Sequence, residues 1–214
     1  MPARKTSKTP ARPAAKSAAK TAVKKASKKA TKGASPPKAP QSLPYEQGKW
    51  AHVFTRAPGE RRYWLIKSEP EVFSFDDLRA APKQTTSWDS VRNSTARNFM
   101  RDGMKKGDLA FYYHSNAEPS AIAGICEIVR EGHPDTSAFD PKHEYFDARS
   151  DPKTPTWFMV DVRAVKALPR PVTLPEIKAD ATLSQMALVK FGRLSVVPVT
   201  KAEWEAVIEK SQRE

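Results

Sequence analysis

From Tyr63 onward the apolar and polar positions fall into short blocks whose period switches between two and about 3.6, the pattern of strands interleaved with short helices. Tyr63 to Lys67 reads as a first strand, and Ser74-x-x-Asp77 opens a helix with Phe75 and Leu78 on one face. Asn93 to Arg101 predicts a second helix, with Ala96, Phe99 and Met100 as its buried stripe, Asn93, Arg97 and Arg101 opposite, and Gly103 just past its end. In the strand expected from Asp108 to His114, Leu109, Phe111 and Tyr113 share one face while Ala110, Tyr112 and His114 share the other. Tyr113 and His114 can both face inward only if that strand bulges.

Ala121 to Val129 is apolar at nearly every position, as a strand covered on both sides requires. Phe158 to Ala164 alternates and reads as a half-buried strand nearer an edge. Reciprocal caps are expected at Thr173-x-x-Glu176 and Thr182-x-x-Gln185, with Gly192 ending the second helix. Leu194 to Val199 reads as the last strand, and Thr200-x-x-Glu203 begins a closing helix whose Trp204, Val207 and Ile208 pack on the sheet. Trp64 and Trp204 read as core.

Charge changes the picture upstream. Residues 1–40 hold twelve Lys or Arg and no Asp or Glu, so they carry +12 of the net +13. Ten of the twelve are Lys, unlike an Arg-rich transit peptide, and no Trp, Phe or Leu is present to insert into a membrane. So little apolar surface cannot offset the entropy of ordering, and the segment reads as a disordered basic tail that attracts polyanions by counterion release. Residues 41–62 read as a linker or surface-packed extension, and residues 63–214 as one compact domain. No run approaches the roughly twenty apolar residues of a membrane helix. The lone Cys126 excludes an internal disulfide and a Cys-based zinc site, which fits an intracellular, reducing compartment.

Three segments mix aromatics with hydrogen-bonding side chains: Lys67-Ser68-Glu69-Pro70, Trp88-Asp89-Ser90-Val91-Arg92-Asn93, and Tyr112-Tyr113-His114-Ser115-Asn116. A nucleobase needs a π face to stack on and fixed donors and acceptors at its edge, and these residue types supply both. His114 beside Ser115 does not make a nucleophile and base, because strand neighbours point to opposite faces and no Gly-x-Ser-x-Gly elbow is present. His133, Asp135, Asp140 and His143 match no metal-ligand spacing and read as a surface loop.

Tyr63-Trp64-Leu65-Ile66-Lys67-Ser68-Glu69-Pro70, then Trp88-Asp89-Ser90-Val91-Arg92-Asn93 with Ala96-Arg97-Asn98-Phe99, then Tyr113-His114-Ser115, and finally Arg193-Leu194-Ser195-Val196 resemble the EVE domain family, four ordered motifs from about Tyr63 to Glu209. The chain departs from the family at Ser90, where its members usually carry Gly, so the turn after Trp88 is open to a different shape. The resemblance implies an α+β, PUA-like fold, a mixed and partly closed β-barrel flanked by short helices. It further implies a non-enzymatic reader of modified bases such as modified cytosine in DNA. On that basis the expected base pocket is Trp88, Ser68, Arg92, Asn93, Tyr113, His114, Ser115 and Ser195, with Lys67, Arg97 and Arg193 on phosphate. The indole of Trp88 would stack on an extruded base, with a core tryptophan as the competing reading. No cofactor or metal is expected, and the expected partner is nucleic acid, DNA ahead of RNA, bound by a monomer. An RNA-binding accessory protein or an enzyme of modified-nucleotide metabolism stays open as the alternative.

Overall fold

The computed structural model describes residues 48–213; the expected tail at 1–40 lies outside them. Helix α1 (Ala51–Phe54) precedes β1 (Tyr63–Ser68), followed by α2 (Pro70–Phe73), α3 (Phe75–Ala80) and β2 (Thr85–Trp88). Next come α4 (Ser94–Asn98), a π-helical turn at Phe99–Gly103, and then β3 (Leu109–His114), β4 (Ala121–Pro134) and β5 (Phe158–Thr173). Helices α5 (Leu174–Ala179) and α6 (Ala187–Lys190) lead to β6 (Val196–Val199) and α7 (Lys201–Gln212). The six strands form one mixed sheet in the order β2-β5-β4-β3-β1-β6. The two ends of that order do not pair, so the α+β, PUA-like architecture is present with an open sheet.

Local chemistry sets most of the boundaries. Ser74, Thr173 and Thr200 each accept a hydrogen bond from the backbone N–H of the third helical residue, whose carboxylate accepts one from the backbone N–H of the cap. The cap expected at Thr182 does not form. The Asp180 carboxylate accepts the N–H groups of Thr182 and Leu183 at 2.9 and 3.2 Å, so that stretch folds as turns and α6 starts only at Ala187. The bulge required by the Tyr113–His114 pattern is present as a register shift between Tyr112 and Tyr113 against β4.

The sheet is covered on both faces. Trp64, Trp88, Phe99 and Tyr112 centre one apolar cluster, and Phe111, Tyr113, Ile122 and Trp204 belong to the other. Trp204 stacks on Tyr63 and Phe111 with ring centroids 4.6 and 3.9 Å apart. One buried charge is organised by several donors. Asp108, 1% exposed, holds Arg56 in a two-pronged pair at 2.8 and 2.8 Å and accepts the Trp64 indole N–H at 2.9 Å. It also takes the backbone N–H groups of Arg62 and Lys105, both at 3.0 Å. Burial alone would raise this carboxyl, but the Arg56, Trp64 and backbone donors outweigh it and hold it below the usual range. Residues upstream of β1 are therefore bonded into the core. Among the described residues no helix is long and apolar enough to cross a membrane.

Candidate nucleic-acid interface

Strands β1 and β3 run parallel with Ser68 opposite His114, so their carboxyl ends lie side by side. Strand β6 runs antiparallel to β1, which brings the residues just before it to the same rim. The Lys67 N–H donates to the Ser195 carbonyl and the Ser115 N–H to the Ser68 carbonyl, each at 2.9 Å. A cleft of about 270 Å³ opens there, lined by Lys67, Ser68, Glu69, Ser115, Asn116 and the stretch Gly192–Ser195. That volume lies just under the usual range of ligand sites, about 300–1,000 Å³.

Three of the sequence motifs thus meet at one rim. Lys67 is 8% exposed, donates from Nζ to the Gly192 carbonyl at 3.0 Å, and lies 5.9 Å from the Tyr113 ring centre. Burial disfavours its charged form and lowers its pKa to about 8. Asn116 adopts φ 53° and donates to Glu69 Oε1 at 2.7 Å, which fixes the loop after β3. Arg193 is exposed at the mouth, and Ser195 and Ser115 are half-buried beside it. Gly192, whose carbonyl anchors the lysine, was not expected in the site. The only sequence signal was its place between Lys190 and Arg193 in a stretch without acids.

The remaining expected residues lie elsewhere. Trp88 is 0% exposed and packs edge-on against Tyr112, with ring centroids 5.4 Å apart. An indole sealed in this way lines no open cavity, so the expected stacking wall is corrected to a core position. The physical reason is strand alternation. Ser87 turns outward to donate to Asp161 at 2.8 Å, which directs Trp88 inward between the sheet and α4.

Arg92 is also committed inside the fold. It donates to Asp135 at 2.7 Å, to Ser137 Oγ at 2.9 Å, and to the Tyr145 carbonyl at 3.0 and 2.6 Å. Its guanidinium lies over the rings of Tyr145 and Trp157 at 5.5 and 5.3 Å. Asp135 is 0% exposed. Burial would raise its carboxyl, but Ser137, Arg92 and the Ser90 N–H hold it below the usual range. Asn93 is the N-cap of α4, accepting from the N–H groups of Thr95 and Ala96. Arg97 bonds Asn98 and the Thr156 carbonyl and lies over Trp157. Those three side chains stabilise the loop before β5 and the start of α4 instead of joining the cleft.

His114 accepts the Phe75 N–H at Nε2, 3.0 Å away, and burial lowers its pKa. Its imidazole is thus kept as a neutral acceptor. Tyr113 is 4% exposed and belongs to the apolar cluster under Lys67. The acidic loop is dispersed: Asp135 bonds Arg92, Asp140 accepts the Lys142 N–H, and His143 accepts the Tyr145 N–H. No group of three metal-ligating side chains forms among the described residues.

Ser90 has φ 62°, a left-handed conformation that glycine adopts freely. The turn after Trp88 therefore has the backbone shape that a Gly would give it, held by the Ser90 N–H bond to Asp135 at 2.9 Å. A larger hollow of about 580 Å³ lies at the opposite end of β1, between Trp50, Tyr63, Pro198 and Lys201. Of the motifs only the start of the first, Tyr63 and Trp64, reaches it, and the cleft is the better candidate because side chains of three motifs converge there.

The sequence matches the family model described as EVE domain over residues 62–210. It is similar to human thymocyte nuclear protein 1, 41% identical over 169 residues that span 71% of this chain and 75% of that protein. Among solved structures it is similar to a protein from Pseudomonas putida, at 42% identity and TM-score 0.65, covering 70% of this chain and 99% of that one. It is also similar to the human THYN1 protein in complex with 5-methylcytosine containing DNA, at 41% identity and TM-score 0.69, covering 72% of this chain and 99% of that chain.

Proposed function

This chain belongs to the EVE domain family, and on that premise we propose that it binds DNA and reads a modified cytosine in the cleft between β1, β3 and β6. One observation carries the reading: a protein 41% identical to it has been solved with 5-methylcytosine containing DNA. The cleft chemistry supports it. Lys67 and Arg193 supply positive charge for a phosphate, and the Ser68, Ser115, Ser195 and Asn116 groups supply donors and acceptors for a base edge. Stacking is not the dominant contact here, since the cleft lining contains no aromatic ring.

Leu194 is the one aliphatic side chain on that lining, and discrimination of a methyl group falls to it. A methyl group in an apolar slot is worth about 1–3 kcal/mol, a factor of roughly ten or more. The twelve cations of residues 1–40 add sequence-independent affinity for the phosphate backbone. The Nε2 atom of His114 accepts the Phe75 N–H and is therefore not placed to act as a base for Ser115.

Titration of the full chain with otherwise identical duplexes carrying cytosine or 5-methylcytosine tests this. The methylated duplex is expected to bind about tenfold more tightly. Equal affinity for the two at every salt concentration would falsify the selective cleft.

A further inference from the structure

We infer that the loop from Lys190 to Leu194 is a track for DNA phosphates, leading from the cleft to the point where the basic N-terminal arm joins the domain. The inference rests on the cleft as the DNA site and adds a route for the rest of the strand. Gly192, Arg193 and Leu194 line the 270 Å³ cleft on one side, and with Lys190 and Phe191 they line a second hollow of about 420 Å³ on the other. The loop is therefore a ridge between two depressions, with Lys190, Gly192 and Arg193 exposed on it.

The charge on this ridge is of one sign. From residue 181 to residue 202 there is no Asp or Glu, while Lys190, Arg193 and Lys201 are present. Across the ridge, Lys49 Nζ lies 4.3 Å from the Phe191 ring centre and 5.4 Å from that of Trp50. Those two rings meet edge-on at 5.0 Å, which seats the first described residues against the loop. Lys49, Lys190 and Arg193 have no ion-pair partner among the described residues, so their charge is available to an outside anion. Lys67 and Arg193 line the cleft, Lys190 and Arg193 line the second hollow, and Lys49 lies over Phe191 of the same loop.

Lys49 also limits how far the arm of residues 1–40 can lie from the ridge. The next cation upstream, Lys38, is eleven residues away, and eleven residues reach at most roughly 40 Å. That is about one turn of B-DNA. Tethering the arm beside the ridge raises its effective concentration at the duplex that occupies the cleft, so the two attractions reinforce each other on one molecule of DNA.

The experiment uses the full chain and a double variant, Lys49→Gln with Lys190→Gln, both exposed and outside the cleft. Two probes are titrated: a five-nucleotide single strand centred on 5-methylcytosine, and a long duplex with one such base, each also in unmethylated form. On the long duplex the variant is expected to bind about five- to tenfold more weakly at moderate salt, with the slope of log affinity against log salt reduced by about two, one for each cation removed. On the short strand its affinity stays within about twofold, and its melting temperature is unchanged. An unchanged slope and affinity on the long duplex would overturn the track. If the slope falls but neither protein distinguishes methylated from unmethylated DNA, the track stands as a non-specific backbone contact and the cleft reading is what fails.

Discussion

Arg92 and Arg193 both belong to motifs that mark candidate ligand contacts, yet they end in opposite circumstances. Arg92 is closed in by Asp135, Ser137, the Tyr145 carbonyl and two aromatic rings, so its charge is consumed within the fold. Arg193 stands exposed at the mouth of a cleft, in a stretch where no acid competes for it. A motif states which side chains are present, and the tertiary fold decides whether their charge remains for a ligand. The Arg92 half is a structural knot, and the Arg193 half is the open face.

Removing a charge from the knot has the largest expected effect. Asp135→Ala leaves the Arg92 guanidinium without its buried partner and is expected to cost about 3–5 kcal/mol of stability, read by denaturant unfolding. A loss under about 1 kcal/mol would mean that the knot does not hold the loop before β5.

Lys67 gives the next largest effect. Its folded pKa of about 8 lies below the usual 10.5, so between those values the unfolded chain holds more protons and stability rises with pH. The rise is about 3 kcal/mol in order of magnitude, and subtracting the pH profile of Lys67→Met isolates it. Binding runs the other way. Affinity for DNA falls as pH climbs through about 8 and the ammonium is lost, whereas Lys67→Arg stays charged and should show a flat profile to pH 10. A native profile as flat as that of the arginine variant would remove Lys67 from the phosphate site.

Arg193→Ala sharpens the contrast from the open side. Stability should move by less than about 0.5 kcal/mol, while DNA binding weakens by about 1–2 kcal/mol and its salt slope falls by about one. The smallest expected change is Ser90→Gly. Relief of the left-handed conformation favours the glycine by about 1–2 kcal/mol, and its greater unfolded-state freedom returns about half of that. Thermal melting should shift upward by a few degrees, and a downward shift would show that the Ser90 hydroxyl contributes more than the strain removes.

What was legible in the sequence was local. The boxes at Ser74, Thr173 and Thr200 span three residues, and each formed because both partners lie within one turn. The box at Thr182 failed because Asp180, two residues earlier, takes the Thr182 N–H with a charged acceptor and folds the stretch as turns. Trp88 was misread because Thr85–Trp88 is only four residues long and its pairing partner on β5 begins more than seventy residues later. Without that strand, polar Ser87 and Asp89 look like a loop around an exposed ring; with it, Ser87 is the outward neighbour of an inward Trp88. Arg92 was misassigned for a related reason, since Asp135 lies 43 residues away and no short-range pattern joins them. The cleft was legible in part because parallel pairing of β1 and β3 brings together two motifs that each end a recognisable strand.

The Asp108 cluster bears on where this protein can be cut. Arg56 closes that cluster from a segment that precedes the family match at residue 62. Trimming the chain to the matched residues would strand a buried carboxylate and strip Trp50 and Val53 from the floor beneath Phe99. A folding unit that keeps these contacts has to include Trp50, Val53 and Arg56, and limited proteolysis is expected not to release a fragment that starts at Tyr63.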